Sequence, residues 1–200
     1  MKKNVSAVIL AAGSSTRLGR PKQLVEFEGE TLVQRAAAAA KSAGAGSVFV
    51  VVGAFADEVR SAVELVNDVT VVLNPNWESG LASSLATGIE VVQAMGCDAA
   101  LVMTTDQPLI ASKCLKALID AFDAEHRIVA ASYDDVIGVP AVFGSDHFRS
   151  LMELNGDEGA GRWLRARSGE VKQIRIDGAA VDIDTQADID RLQSHDSRMT

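Results

Sequence analysis

The sequence predicts an α/β protein with one open, mainly parallel, twisted sheet and helices on both of its faces. Up to residue 131, short runs rich in Val, Ile and Leu alternate with longer stretches of helical periodicity. This alternation is typical of parallel strands that are joined by crossover helices. The 200 residues suit a single domain, and the 48% hydrophobic content is enough for a sizeable core.

Each element in this part of the chain has its own signal. The predicted strands are buried apolar runs, and capping residues mark the helices: Thr31 with Gln34 forms a capping-box pattern, Gly44 is a natural stop, and Ser112 can cap the helix that follows it. In chain order we predict strand 5–12, helix 31–43, strand 47–53, helix 56–66, strand 69–73, helix 81–95, strand 99–104, helix 113–123 and strand 128–131.

The last third of the chain is less regular. Its composition predicts a loop over 133–140, a short strand at 141–143, helices over 144–154 and 162–167, edge strands at 171–176 and 181–183, and a closing helix over 185–192. The polar residues 195–200 are predicted to fray. We therefore expect one domain over 1–194 and a C-terminal tail over 195–200.

The first loop is the most informative stretch of the chain. The strand 5–12 ends in a loop that contains Gly13 and two serines, and Arg17, Arg20 and Lys22 follow, although the whole chain carries a formal charge of −8. Glycine lets the backbone approach a phosphate closely, and clustered cations in an acidic protein indicate a local anionic ligand. A plain solvated turn is the alternative. The spacing fits neither a Walker A loop nor the dinucleotide fingerprint G-x-G-x-x-G.

Composition argues against nucleic-acid and membrane partners and against secretion. A net charge of −8 argues against binding nucleic acid through a basic face. No run approaches the ~18 apolar residues of a membrane-spanning helix, and the apolar stretch after residue 4 is short for a signal peptide. Cys97 and Cys114 lack metal-ligand spacing and are typical of thiols in a reducing compartment. We expect a cytoplasmic protein without a membrane partner.

Acidic residues at predicted strand ends are the candidate metal ligands. Asp106 follows an apolar strand and precedes Pro108, where a carboxylate could hold Mg²⁺ beside bound phosphates; a turn cap is the alternative. Asp182 and Asp184 would point to the same face of a strand, or else belong to a solvated helix cap. Asp134 and Asp157 are further candidates for the site, with no metal role assigned to them, although acids on exposed loops are usually only solvated.

Several motifs resemble those of the nucleotidyltransferases related to the molybdenum cofactor guanylyl- and cytidylyltransferases. The stretch LAAGSSTRLGRPK at 10–22 is similar to their signature, with Leu18 in place of Met. The residues Asp106-Gln107-Pro108 match a D-Q-P motif, and DIDT at 182–185 matches a D-I-D-T-P motif with Gln186 in place of Pro. The segment NPNWESGLASSL at 74–85 resembles N-P-x-W-x-x-G-x-x-S-S-L. The resemblance spans residues 5–192, while the segment before Pro140 departs from the family pattern.

This resemblance implies a Rossmann-like nucleotide-diphospho transferase fold and a Mg²⁺-dependent transfer of a nucleoside monophosphate to a phosphorylated acceptor, with release of pyrophosphate. It implies catalytic roles for Arg17, Lys22 and Asp106, and Mg²⁺ binding by Asp106 and Asp184. Both cations are expected to be solvent-accessible in the free protein. The implied nucleotide-binding residues are Leu10, Ala11, Ala12, Gly13, Ser14, Arg17, Lys22, Asn74, Gly80 and Ser84.

The resemblance also favours particular substrates. The LAAG sequence and the segment 74–85 are closer to the cytidylyltransferase branch, which implies CTP as the nucleotide and molybdopterin, as molybdenum cofactor, as the acceptor, with a molybdoenzyme as a further partner. Three alternatives stay open: a different acceptor or a role in a degradation pathway, including an oxidoreductase role; a non-catalytic chaperone that binds molybdenum cofactor; and a nicotinamide-linked oxidoreductase, against which the missing G-x-G-x-x-G motif argues.

Overall fold

A seven-stranded sheet with helices on both faces forms the centre of the protein, as the sequence predicts. The structure is a computed structural model that describes residues 3–196, with side chains described up to residue 192. The strands are β1 Val5–Leu10, β2 Glu26–Phe27, β3 Glu30–Thr31, β4 Val48–Val52, β5 Val69–Leu73, β6 Ala99–Thr104, β7 Ile128–Tyr133, β8 Val136–Gly144 and β9 Lys172–Arg175. The α-helices are α1 Leu32–Ser42, α2 Ala56–Val63, α3 Leu81–Ala94, α4 Ser112–Ala121, α5 Phe148–Met152, α6 Ala160–Ala166 and α7 Gln186–Asp196.

The strand order brings the ends of β1 and β6 together. The order is β5-β4-β1-β6-β8-β7-β9, in which β8 runs antiparallel to both of its neighbours and every other pairing is parallel. The sheet is therefore mainly parallel, as predicted. The chain leaves β1 toward β4 on one side, while β6 lies on the other side. A crevice forms at the carboxyl ends of strands at such a switch point, and ligands bind there in open α/β sheets.

Two apolar layers hold the helices against the sheet. Alternate residues of β1 point to opposite faces of the sheet. Ile9 belongs to the layer that includes residues of α1, α2 and α4, and Val8 belongs to the layer that includes residues of α3, α5 and α6. Both side chains are fully buried. The aliphatic residues Ala, Val, Leu and Ile fill most of these layers, as the low aromatic content predicts.

A third, smaller cluster connects the two ends of the chain. Val25 and Phe27 from the first hairpin pack with Ile183 and with Ile189 of α7. The backbone N–H of Ile183 also donates to the carbonyl of Asp106, at 2.9 Å. This cluster therefore holds the segment that carries Asp184 beside both the end of the first loop and the end of β6.

The structure differs from the predicted elements mainly in the last third of the chain. The predicted loop at 133–140 is wrong, because β7 and β8 form a hairpin that turns at Asp134 and Asp135, both at positive φ. Gly138 and Pro140 lie near a register shift in β8, where Ala130 pairs with Ala141 and Ala131 pairs with Gly138. A strand interruption of this kind accommodates a proline, which cannot donate to the ladder.

Other differences are local. The predicted strand at 181–183 is absent, since this segment is held by Ile183 packing instead of strand pairing. Ser112 is the first residue of α4 and not its cap, which is Ala111. The predicted helix over 144–154 is the shorter α5, preceded by a 3-10 turn at Ser145–His147, and the hairpin of β2 and β3 was not predicted.

The C-terminal tail stays a prediction. Helix α7 reaches Asp196, and residues 197–200 lie outside the described part of the chain. Among the helices of residues 3–196, none combines the length and the apolar character that spanning a bilayer requires.

Candidate active site

The loop after β1 is folded around Ser15. This residue adopts a left-handed conformation with φ of 52°, and its carbonyl accepts hydrogen bonds from the N–H groups of Leu18 and Gly19 at 3.0 and 3.2 Å. Its hydroxyl oxygen accepts a hydrogen bond from the N–H of Lys22 at 3.0 Å. Lys22 begins a 3-10 turn that ends at Leu24. The loop therefore curls back and returns Lys22 to the end of the strand that it left.

A cavity of about 380 Å³ lies between this loop, the start of α3 and the end of β6. Eight of the residues that the sequence predicts for the site line it: Leu10, Ala12, Gly13, Ser14, Lys22, Gly80, Ser84 and Asp106. The cavity is open enough to admit a ligand and is of the size that small-molecule sites have in proteins.

Three predicted nucleotide-binding residues are not part of the lining, each for a structural reason. Ala11 is buried, and its N–H donates to the carbonyl of Val51. Asn74 is buried as well, and its amide donates to the hydroxyl groups of Ser83 and Ser84 at 2.8 and 3.0 Å. The Arg17 side chain is 74% exposed and extends toward Asp184.

Two predicted metal ligands meet at Lys22. The Lys22 Nζ atom lies 2.7 Å from Asp106 Oδ2 and 3.2 Å from Asp184 Oδ1. Arg17 pairs with the other oxygen of Asp184, at 3.2 Å. The expectation that both cations are solvent-accessible is correct for Arg17 and wrong for Lys22, whose side chain is 21% exposed, because the two acids draw its ammonium group inward.

The electrostatics of this cluster are strongly coupled. Burial lowers the pKa of Lys22, but the charges and hydrogen bonds of Asp106 and Asp184 outweigh this effect, so its pKa lies above its ordinary value. Asp182 is an exposed residue, yet its carboxyl group is partly desolvated beside Gln107. This desolvation, together with the charges of Asp106 and Asp184, raises the pKa of Asp182 to about 6.

The donor set at Lys22 fits a hard divalent cation. Both carboxylates reach one point, which a single ammonium nitrogen now occupies at hydrogen-bond distance from each. Across residues 3–192, no group of three or more His, Cys, Asp or Glu side chains has the geometry of a complete metal site. Two carboxylates completed by water and substrate phosphates are the usual arrangement for Mg²⁺, and we conclude that Asp106 and Asp184 fit such an ion.

Two cavity residues, Gln23 and Thr104, were not singled out in the sequence. Trp77, Glu78 and Leu81 also line the cavity, and they belong to the segment 74–85 that resembles a family motif. Thr105, directly before Asp106, lines it as well. Asp157 also lines the cavity, while Asp134 lies in the turn between β7 and β8.

Gly80 explains how Asp157 comes to the cavity. Its φ is 109°, and a Cβ atom there would lie 2.3 Å from the carbonyl group of Gly156. The N–H of Ala82 donates to that same carbonyl at 3.0 Å. Only glycine allows the segment before α6 to approach the start of α3 this closely.

The fold and the candidate site are those of α/β proteins in which ligands bind at the carboxyl ends of parallel strands, beside a glycine-containing loop. The chain belongs to the MobA-like NTP transferase domain family, which it matches over residues 7–172.

Similar proteins cover nearly the whole chain. It is 30% identical to "Nicotine blue oxidoreductase" of Paenarthrobacter nicotinovorans, over 94% of this chain and 96% of that protein. The crystal structure of Rv0371c from Mycobacterium tuberculosis H37Rv superposes with a TM-score of 0.85 at 31% identity, over 97% of this chain and 99% of that one; a manganese complex of that protein is also known. A nucleotidyl transferase from Methanothermobacter, Mth528, has a TM-score of 0.84 at 26% identity, over the whole of both chains.

Proposed function

We propose that this protein is a cytoplasmic, Mg²⁺-dependent nucleotidyltransferase that transfers CMP from CTP to the phosphate of molybdenum cofactor and releases pyrophosphate. The observation that carries the proposal is that the loop after β1, Lys22 and Asp106 line one cavity, and that Asp184, which is not part of the lining, contacts the same Lys22 ammonium group. Membership of the NTP transferase family supports the reaction class. The choice of CTP and of the acceptor rests on the sequence motifs.

The residues at the cavity suit an in-line displacement at the α-phosphorus of the nucleotide. This reaction needs positioning and charge stabilisation more than covalent help. The loop at Ala12, Gly13 and Ser14 can hold the triphosphate through backbone N–H groups. Lys22 and Arg17 can offset the negative charge that develops on the pyrophosphate leaving group.

Asp106 and Asp184 would hold the divalent ion. When bound, Mg²⁺ supplies positive charge that stabilises the transferring phosphate and orients its oxygens. Since both acids now contact Lys22, this lysine must leave them, at least in part, when the ion binds. The phosphate oxygens of the nucleotide are a suitable new partner for its ammonium group.

Release of pyrophosphate tests the proposal directly. The protein is incubated with Mg²⁺ and CTP, GTP, ATP or UTP in turn, with and without molybdenum cofactor, and pyrophosphate is measured by a coupled assay. We expect release that requires the acceptor and is fastest with CTP. Asp106→Asn is the inactive control. No pyrophosphate release with any nucleotide and this acceptor would reject the cofactor-maturation function.

A second candidate is a role in a degradation pathway, including an oxidoreductase role. It is favoured by the name of the relative from Paenarthrobacter nicotinovorans, which is similar over almost the full length of both proteins. Oxidation of NADH or NADPH in the presence of oxidised dyes or flavins would support this function. A non-catalytic chaperone would instead bind molybdenum cofactor, measured by fluorescence titration, without releasing pyrophosphate from any nucleotide.

A further inference from the structure

Gln23 is buried beneath the loop after β1. Its residue surface is 1% exposed, and its amide nitrogen donates to two loop carbonyls, those of Ala11 at 2.8 Å and Gly13 at 2.7 Å. Its amide oxygen lies 3.4 Å from the hydroxyl group of Ser15. One side chain thus contacts three of the five residues from 11 to 15, and both strong contacts are to backbone.

These two contacts fix the direction of two peptide groups. The peptide bond is planar and trans, so a carbonyl that points to Gln23 turns the N–H of the next residue the opposite way. The affected N–H groups are those of Ala12 and Ser14, both of which line the cavity. In the part of the chain that the structure describes, neither N–H has a protein acceptor.

A backbone N–H group without a hydrogen-bond acceptor lowers the stability of the folded protein unless water or a ligand accepts from it. Backbone N–H groups that face one concave surface can form an anion site, and the N–H groups of Ala12 and Ser14 are placed for such a role. The position of Lys22 also depends on this loop. Lys22 directly precedes Gln23 in one 3-10 turn, and its backbone N–H donates to the hydroxyl oxygen of Ser15. The amide of Gln23 therefore connects the shape of the loop to the position of the lysine.

We propose that Gln23 is a positioning residue of the nucleotide site, whose amide holds the Ala11 and Gly13 carbonyls away from the triphosphate so that the N–H groups of Ala12 and Ser14 face it. This role rests on the nucleotidyltransferase function proposed above. Gln23 itself does not need to touch the nucleotide. Without its two donors, either carbonyl can rotate toward the cavity, where it would repel phosphate oxygens.

The test compares Gln23→Met with Gln34→Met. Methionine has nearly the length of glutamine but no donor. Gln34 is a matched control, since its amide also donates to a backbone carbonyl, that of Ala62 at 3.0 Å, and caps α1 away from the cavity. Gln23→Glu is a second variant that keeps the side-chain size and replaces the donors with oxygens.

Three quantities are measured for each protein: the Kd of the NTP that the wild type binds best with Mg²⁺ and no acceptor, the midpoint of thermal unfolding, and amide hydrogen exchange over residues 12–19 without nucleotide. We expect Gln23→Met and Gln23→Glu to raise the Kd by at least about tenfold, the scale of losing two preorganised donors. Exchange in the loop should become faster in both. Gln34→Met should lower the unfolding midpoint and leave the Kd and the loop exchange unchanged.

The outcomes separate this proposal from the one on which it rests. If the wild type binds no NTP, the nucleotidyltransferase function is rejected and the role of Gln23 falls with it. If the wild type binds and either folded Gln23 variant has the same Kd and loop exchange, Gln23 is only a packing residue. The same conclusion follows if Gln34→Met loses as much affinity as the Gln23 variants, because general destabilisation would then explain the effect.

Discussion

Lys22 Nζ and Asp106 Oδ2 lie 2.7 Å apart at the edge of the cavity, and both side chains are about four-fifths buried (21% and 20% exposed). A lysine expected to bind phosphates is thus paired with an acid expected to bind the metal ion. The same ammonium group also reaches Asp184. Lys22 thus lies between the two carboxylates that we expect to bind a divalent cation, and an ion bound there would compete with the lysine for the same oxygens.

This competition predicts that Lys22→Met tightens the binding of Mn²⁺ in the absence of nucleotide. Removing the ammonium group frees Asp106 and one oxygen of Asp184 for the ion, while Arg17 keeps its pair with the other oxygen of Asp184. We expect the Kd to fall by at least about fivefold. Electron paramagnetic resonance of free Mn²⁺ gives the measurement. Lys41→Met is the control, because Lys41 pairs with Asp68 at the same 2.7 Å but away from the cavity. Equal affinity in Lys22→Met and wild type would mean that the ion binds elsewhere.

Turnover should fall by at least about tenfold in Arg17→Ala and in Lys22→Ala, because each loses a charge-assisted contact near the transferring phosphate. Steady-state pyrophosphate release provides the rates. Lys116→Ala, which removes an exposed pair with Asp120 on α4, should keep the wild-type rate. Near-normal rates in both loop variants would mean that the loop after β1 has no role in the reaction.

Asp106→Asn should abolish metal-dependent activity and leave the fold intact. The amide keeps the shape of the side chain but lacks the charge that Mg²⁺ requires. Calorimetric titration of NTP with and without Mg²⁺ is the measurement, and Asp120→Asn on α4 is the control. If the metal dependence of binding is unchanged in Asp106→Asn, this acid only shapes the turn after β6.

The sequence predicts the first half of the fold well because its signals are local. The apolar runs of β1, β4 and β6 and the capping box at Thr31 and Gln34 specify elements that need little help from the rest of the chain. The hairpin of β7 and β8 was missed because a proline in a strand is tolerated only where the ladder is interrupted, and that depends on the neighbouring strand.

Motifs located the site residues, but not their contacts. The positions of Lys22, Asp106 and Asp184 in the sequence do not show how close the three side chains lie in space. Their contact depends on the small apolar cluster that contains Ile183. The inward position of Lys22 follows from those two acids, which are far from it in sequence. Gln23 was missed for the same reason, since its importance comes from two carbonyls of a loop whose path only the structure gives.

Gly13→Ala should reduce nucleotide affinity without a loss of stability. A Cβ atom at Gly13 would meet nothing within 4 Å, and the residue does not lie at positive φ. The protein alone therefore does not require glycine here, whereas a phosphate held against the backbone would. We expect the Kd of the NTP to rise by about tenfold with an unchanged unfolding midpoint. An unchanged Kd would mean that phosphates do not approach this part of the loop.

The last prediction concerns the base. We expect CTP to be preferred over GTP by at least about tenfold in kcat/KM, because steric rejection of the larger base in a packed site is substantial. Ala12 carries the argument, since the guanylyltransferase branch of the family that the motif resembles has glycine at this position, whereas the LAAG sequence is closer to the cytidylyltransferase branch. Ala12 is 4% exposed and is one of the residues that line the cavity, and we expect its methyl group to narrow the space beside the loop.

Both nucleotides are measured in the wild type and in Ala12→Gly. If the methyl group excludes the purine, the variant gains activity with GTP while its activity with CTP changes little. Equal use of GTP by the wild type would reject the cytidylyltransferase assignment. If Ala12→Gly gains no activity with GTP, the selectivity lies in other residues that line the cavity, such as Trp77, Leu81 and Ser84. These residues belong to the segment 74–85. The same pair of measurements on Leu81→Ala would then test whether Leu81 excludes the larger base.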